Sequence, residues 1–281
     1  MLNDVTFGQY YPVKSFVHKS DPRIKLLALI AYIVALFLVK NFYSLAICFV
    51  VVSIAIIFSR VPLGSVLRSI KAIIVLLIFT AILNLFFHGG EHLLASWGII
   101  KIYREAIIFT VFFVFRLFFL VMGSALLTLT TTPVELTDGI ESLLTPLKWI
   151  RFPVHELALI MSIALRFIPT LIDETNRIIS AQKARGADFE SGNIFKRIKA
   201  IVPVLIPLLI SAFRRAEELG DAMDARCYSG SKNRTKYKKL KLSWRDLIIT
   251  LLFASLITGV VLLNIYADRI FPEIYEFIRL S

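Results

Sequence analysis

Two arginines occur in matching local sequences, 41 residues apart. Ala184-Arg185-Gly186 and Ala225-Arg226-Cys227 each place an arginine between small residues. A guanidinium offers a planar fork of donors to carboxylate and carbonyl oxygens, and small neighbours let a helix end approach a groove closely. A cation in the last helical turn also complements the helix dipole, but the dipole does not require a preceding alanine in both places. The pattern predicts two docking tips for a partner with two equivalent grooves.

Groups that could perform catalysis or bind metal are sparse elsewhere. His88 and His92 are four residues apart, a spacing that suits a metal on a helix. Gly89 and Gly90 argue against a helix there, and no third ligand is near, so an interfacial loop anchored by Trp97 is the simpler interpretation. The sequence contains no Gly-x-x-x-x-Gly-Lys-Ser/Thr phosphate loop. We therefore expect no catalytic residue, no metal, no cofactor and no ATP hydrolysis by this chain.

Three helices must position the two tips. The first follows Thr132 as a cap and Pro133 as the first helical residue, with Glu135 in its first turn. It is predicted to end near Leu144, because Pro146 cannot continue it. Two longer helices follow, at about 153–185 and 194–228.

Both long helices are amphipathic. Apolar residues recur along them at intervals of three and four. The apolar faces include Leu165, Ile168, Leu171 and Ile172 on the second helix and Leu205, Leu208, Leu209 and Phe213 on the third. The apolar centre of the third helix, 200–213, is short, contains two prolines and has basic clusters on both sides, which disfavour a membrane crossing. We expect this helix to lie along the membrane surface or beneath the spans.

The rest of the chain is typical of a membrane protein. Of its 281 residues, 57% are hydrophobic, and they fall in blocks rather than in a periodic pattern. Five segments are predicted to span the bilayer, at 24–40, 42–59, 72–87, 106–130 and 247–267. The sequence therefore predicts an all-α membrane protein with about five transmembrane helices and three cytoplasmic helices. Its expected regions are a four-span part at 1–131, a cytoplasmic part at 132–245, and a final span with an external tail at 246–281.

The net charge of +12 indicates the orientation. Lysines and arginines concentrate before the first span, between the second and third spans, and between the fourth and fifth spans, which all fall on one side of a five-span topology. Because basic loops are retained in the cytoplasm, we expect a cytoplasmic N-terminus and an external C-terminus. The basic tract at 232–241 fits the same topology signal, although it also suits binding to anionic lipid headgroups. No nucleic-acid partner is needed to explain the charge.

Polar residues inside the spans leave alternatives open. Arg116 is either a substrate or coupling contact or a structural cation bonded to neighbouring helices, and the structural interpretation is favoured. A channel or secondary transporter with its own substrate path would use Arg116, Asn84 and Asn264. A membrane-embedded enzyme would need clustered acids or metal ligands, and the spans contain almost no Asp or Glu.

Five motifs occur in order along most of the chain. They are Gly8-Gln9-Tyr10 followed by Ser15, His18 and Asp21-Pro22-Arg23-Ile24-Lys25-Leu26; Leu127-Thr128-Leu129-Thr130-Thr131-Thr132-Pro133 leading to Leu136; Ala164-Leu165-Arg166-Phe167-Ile168-Pro169; Ala181-Gln182-Lys183-Ala184-Arg185-Gly186; and Arg215-Ala216-Glu217-Glu218-Leu219 with Ala222-Met223-Asp224-Ala225-Arg226 and Tyr228. Each is a weak signal alone, but the ordered set is specific. The chain resembles the transmembrane T component of energy-coupling factor (ECF) transporters, which import vitamins and some metal ions.

The resemblance implies a scaffold for other subunits. Two ATP-binding-cassette (ABC) ATPases would each receive one arginine-tipped helix end, and these partners would bind the ATP. A membrane-embedded, substrate-binding S component would rest on the apolar faces of the second and third helices. Cys227 stands where the first tip has Gly186, and a cysteine resists a left-handed turn, so we expect the second tip to end differently.

Overall fold

A computed structural model describes residues 10–71, 73–90, 92–97, 100–150, 152–187, 189, 194–228, 230 and 242–270. The Gly8-Gln9 opening, the basic tract at 232–241 and the tail beyond Ile270 lie outside these residues. The elements in chain order are α1 (Pro22–Leu38), α2 (Phe42–Ser59), α3 (Leu63–Lys71), α4 (Ile74–Phe87), β1 (Leu93–Trp97), β2 (Ile100–Tyr103), α5 (Arg104–Thr130), α6 (Pro133–Leu144), a 3-10 helix (Thr145–Ile150), α7 (Val154–Ala184), α8 (Ile194–Asp224) and α9 (Trp244–Ile270).

The predicted all-α membrane fold is confirmed, with two local additions. The short helix α3 fills the connection between the second and third predicted spans. The loop between α4 and α5 contains an antiparallel hairpin of β1 and β2, in which Leu93 pairs with Tyr103 and Trp97 with Ile100. Each strand has only four or five residues, which is too few for an alternation of apolar and polar side chains to identify it as a strand from the sequence.

Four described helices are long and apolar enough to cross a membrane, namely α2, α5, α7 and the part of α9 up to Tyr266. A fifth is possible if α3 and α4, which meet at a bend of 59°, form one broken span. The helix α1 has 17 residues, about 25 Å at helical rise, which is slightly short of a ~30 Å hydrocarbon core. The inclusion of α7 among the helices that could cross a membrane rests on its length and composition alone.

The described residues form two compact units, the first within 10–140 and 242–270 and the second within 141–230. In the first unit, α1, α2, α5 and α9 pack around a core of buried apolar side chains that includes Tyr32, Leu36, Cys48, Val52, Phe112, Phe119, Leu256 and Val260. In the second unit, α7 packs against α8, with the 3-10 helix beside α7. The second unit carries both arginine tips.

A buried lysine joins three segments of the first unit. Lys25 is 6% exposed, and its Nζ donates to the carbonyl oxygens of His18 at 3.2 Å and Thr130 at 3.1 Å, and to Thr131 Oγ1 at 3.2 Å. These bonds tie α1 to the end of α5. The next helix, α6, begins with the predicted cap, because Thr132 Oγ1 accepts from the Glu135 amide and Glu135 Oε2 accepts from the Thr132 amide, both at 3.3 Å.

The segment before α1 lies against the end of α5. The Tyr11 amide donates to the Leu129 carbonyl at 2.9 Å. His18 Nε2 lies 2.9 Å from the Tyr11 carbonyl oxygen, and its Nδ1 lies 2.7 Å from the Ser15 hydroxyl oxygen. Burial lowers the pKa of His18, which favours the neutral ring. A neutral ring that donates from Nε2 and accepts at Nδ1 satisfies both contacts.

The N-terminal ends of α1 and α9 meet at a buried carboxylate. Asp246 is 2% exposed, and its two oxygens accept from the Asp21 amide at 2.8 Å and the Ser243 amide at 2.7 Å. Asp21 in turn caps α1 by accepting from the Arg23 amide at 2.9 Å. The two helices therefore start side by side at one polar cluster.

Gly123 allows α5 to approach α1 closely, and we expect Gly123→Val to destabilise the protein. A Cβ at this position would lie 2.5 Å from Tyr32 Cε1, and Tyr32 is fixed by burial and by donating to the Phe119 carbonyl at 3.2 Å. Overpacking a dense core typically costs about 1–3 kcal/mol. The melting temperature of the purified protein in detergent measures the loss. Gly259→Val in α9 is the matched control, because a Cβ there meets nothing within 4 Å, and an equal loss in the control would contradict the close-approach argument.

Candidate functional site

The first arginine tip is built by a Schellman motif at the end of α7. Gly186 adopts a φ of 87°, and its amide donates to the Lys183 carbonyl at 3.0 Å. The Ala187 amide reaches back to the Gln182 carbonyl at 2.9 Å. These two bonds satisfy helix-end carbonyls that would otherwise lack donors. Arg185 occupies the last position before the left-handed residue and is exposed.

The second tip, at the end of α8, has the same motif. The Cys227 amide donates to the Asp224 carbonyl at 2.8 Å, and the Tyr228 amide donates to the Met223 carbonyl at 3.0 Å. Cys227 has a φ of 56°, so it adopts the left-handed conformation that Gly186 adopts in the first tip. The expectation that Cys227 would make this helix end differently is wrong. The two capping bonds outweigh the left-handed penalty of about 1–2 kcal/mol for a residue with a side chain.

The two tips therefore share one backbone geometry. Arg185 and Arg226 hold the same position in the same motif, and both are exposed. The preceding alanines, Ala184 and Ala225, are exposed as well, so no large side chain crowds either guanidinium from that position. Each tip can donate forked, charge-assisted hydrogen bonds to an oxygen-lined groove.

The predicted apolar faces differ in exposure. On α8, Leu205, Leu209 and Phe213 are exposed, whereas Leu208 is half-buried. On α7, the four predicted residues Leu165, Ile168, Leu171 and Ile172 are all half-buried.

Sequence reasoning missed part of the exposed surface. Six exposed apolar residues of α8 form one stripe at helical spacing, namely Val202, Leu205, Ile206, Leu209, Ile210 and Phe213. Phe195 and Ile201 of the same helix are exposed as well. A shorter exposed set on α7 consists of Leu157, Ile160 and Met161. Counting the three- and four-residue spacing onward from Val202 would have found the complete α8 stripe. We call these six residues of α8 the apolar stripe.

Two of the polar residues in the spans, Arg116 and Asn264, have structural partners. Arg116 donates through Nη2 to the Val39 carbonyl, and its guanidinium lies 4.7 Å from the centre of the Phe112 ring. These contacts are the kind that the structural interpretation of Arg116 predicts. Asn264 donates to the Leu38 carbonyl at 2.7 Å and accepts from the Ser44 hydroxyl at 3.1 Å. Arg116 and Asn264 thus supply donors to carbonyls at the end of α1.

His88 and His92, in the connection between α4 and α5, do not form a recognisable metal centre. The ring of His88 stacks on Phe109, with ring centroids 4.3 Å apart. Within the described part of the chain, no group of three or more His, Cys, Asp or Glu side chains is arranged to hold a metal ion.

Comparison with known proteins identifies the family. The family model described as "Cobalt transport protein" (CbiQ) matches residues 13–237. The energy-coupling factor transporter transmembrane protein EcfT of Clostridium kluyveri is 52% identical over 252 residues, which is 89% of this chain and 93% of that protein. The chain belongs to the family of ECF transporter transmembrane proteins. This finding confirms the resemblance that the five sequence motifs indicated.

Other members of the ECF family match almost as completely. EcfT of Ruminiclostridium cellulolyticum is 46% identical over 94% of this chain and 98% of that protein. EcfT of Bacillus subtilis is 44% identical over 88% of this chain and 93% of that protein. As a member of this family, the chain is a membrane component of an ECF transporter.

Proposed function

We propose that this chain is the coupling subunit of an ATP-driven ECF-type importer for a vitamin or another micronutrient. In this role it receives motion from two ABC-type ATPase subunits and passes it to a membrane-embedded S component, which binds the substrate. The observation that carries the proposal is the pair of arginine tips with the same backbone geometry. One polypeptide that offers the same tip twice is suited to a partner that has two similar sockets.

The docking surfaces are the two tips. Ala184, Arg185 and Gly186 enter one ATPase socket, and Ala225, Arg226 and Cys227 enter the other. Each guanidinium bonds to carboxylate or carbonyl oxygens of its socket, and the small neighbours permit close backbone approach. The ATPases bind and hydrolyse the ATP, and this chain supplies no catalytic group.

The S component contacts the apolar faces of α7 and α8. Support comes from the apolar stripe, whose six large side chains are exposed along three turns of α8. Contiguous exposed apolar surface on this scale marks a partner or membrane contact. The half-buried residues Leu165, Ile168, Leu171, Ile172 and Leu208 complete the proposed platform together with Leu205, Leu209 and Phe213 of the stripe.

The proposed location is the prokaryotic cell membrane, with a cytoplasmic N-terminus and an external C-terminus. Two observations support this orientation. The N-terminal ends of α1 and α9 share the Asp246 cluster, so both helices enter from one side. The basic tract before α9 and the basic residues before α1 then share the cytoplasmic face. We place α7 in the cytoplasm despite its length, because its second half carries Asp173, Glu174, Arg177 and Lys183.

A channel or secondary transporter with its own substrate path is the alternative. It would require polar groups available to a substrate, and Arg116 and Asn264 are instead engaged with backbone carbonyls of α1. The described spans therefore favour a scaffold over a transport path within this chain.

Affinity purification of the tagged full-length chain from its native membrane tests the proposal. We expect two ABC-type ATPase subunits and one or more small membrane proteins to co-purify, and mass spectrometry identifies them. An unrelated polytopic membrane protein with the same tag controls for adventitious capture. Recovery of the chain without any ATPase, under conditions that keep known ECF complexes intact, would contradict the proposal.

A further inference from the structure

An ion pair connects α7 and α8. Arg215 Nη2 donates to Glu174 Oε2 at 2.5 Å, and the two side chains are 34% and 22% exposed. A charge-assisted bond that is partly withdrawn from water constrains geometry more than an exposed pair does. The neighbouring pair Arg214–Glu218, at 3.8 Å, is 72% and 69% exposed and lies within α8 alone. Of these two ion pairs, only Glu174–Arg215 can fix one helix against the other, because only this pair joins α7 to α8.

This ion pair is equally far along the chain from both arginine tips. Arg185 lies eleven positions after Glu174, and Arg226 lies eleven positions after Arg215. Eleven residues make about three helical turns, or roughly 16 Å, so each tip arginine lies on nearly the same helix face as its member of the pair. The helical prolines, Pro169 in α7 and Pro203 and Pro207 in α8, all precede the pair. Both stretches from the pair to the tips are therefore free of proline kinks.

We propose that Glu174 and Arg215 are positioning residues that set the separation of the two tips in the chain without partners. The pair holds α7 against α8 at a point equally far along the chain from both tips. The inference rests on the proposed docking role of the tips. It assigns to Glu174 and Arg215 no contact with ATP or with the transported substrate.

Tip separation is directly measurable in this chain without any partner. Ser180→Cys and Asp221→Cys place spin labels at exposed sites six residues beyond the pair on each helix, in a Cys227→Ser background that removes the exposed native thiol. Pulsed electron paramagnetic resonance on the protein in lipid nanodiscs then gives the distance distribution. We expect one narrow distribution for the unaltered pair, broad ones for Glu174→Arg and for Arg215→Glu, and a narrow one again for the double swap.

The control for this measurement is Glu218→Arg. It makes the same charge change within α8 but breaks only the exposed pair within that helix, so its distribution should stay narrow. Equal melting temperatures across the set show that the changes act on geometry rather than on folding. Narrow distributions in both single reversals would overturn the positioning role of the pair, whatever the tips bind.

Binding of the ATPases supplies the functional readout. In the complex purified from the native membrane, with Cys227 intact, we expect either single reversal to lower ATPase capture about three- to tenfold, within the range of coupling between contacting residues, and the swap to restore it. Broad distance distributions with undiminished capture would overturn the positioning role. Undiminished capture by Arg185→Glu/Arg226→Glu would instead overturn docking by the tips and leave the distance result standing, so the two failures are distinguishable.

Discussion

Reversing both tip charges, in Arg185→Glu/Arg226→Glu, should leave the protein inserted in the membrane and abolish most of its association with the ATPases. Each reversal replaces a forked donor with a carboxylate that repels acceptor oxygens. Truncating one partner of a buried charged pair at an interface costs about 2–5 kcal/mol, and each 1.4 kcal/mol is tenfold in affinity. With two sockets affected, we expect the ATPase affinity to fall by about a thousandfold or more.

The single reversals should be milder than the double. When one tip stays engaged, it keeps the other near its socket, so the effective local concentration compensates part of the loss. Titration of the ATPases onto the chain in nanodiscs measures all three variants. Arg214→Glu is the matched control, because Arg214 is an exposed arginine of α8 outside the tips. Full association of the double variant would show that the arginine tips are not the docking elements.

The helices and their ends were largely predictable from local sequence. The cap Thr132 with Glu135 marks the start of α6, and Gly186 marks the end of α7, because both signals depend on backbone chemistry within a few residues. The same reasoning gave a wrong prediction at Cys227. Its propensity disfavours a left-handed turn, but the capping bonds around it determine the conformation.

Contacts between distant residues were not predictable in the same way. Lys25 lies in a cluster of basic residues before the first span, and the charge rule explains such a residue without any specific partner. Its three acceptors come from the segment before α1 and from the end of α5, about a hundred residues later. The sequence does contain a pattern at Glu174 and Arg215, because the two residues have opposite charges and lie equally far along the chain from the two tips. This pattern alone does not predict a contact, and only the structure shows that the two side chains are paired.

Lys25→Met should therefore destabilise the protein strongly. The substitution keeps most of the apolar stem of the side chain but leaves the buried Thr130 carbonyl, the partly buried His18 carbonyl and the Thr131 hydroxyl without the donor they share. Each buried polar group that loses its partner costs about 1–3 kcal/mol, so a total of about 3–5 kcal/mol is expected, a large share of ordinary stability. The measurements are the yield of monodisperse protein in detergent and its melting temperature.

Lys19→Met separates this explanation from the topology signal. Lys19 is an exposed lysine of the same basic segment, six residues before Lys25, so both substitutions remove one positive charge from the same side of the membrane. If Lys25 acts only through membrane orientation, the two variants should insert and melt alike. If its three hydrogen bonds hold α1 to the end of α5, only Lys25→Met should lose stability. The α5–α6 junction begins where those bonds end, so the same variant should also loosen the start of α6, measurable as faster amide hydrogen exchange near Thr132.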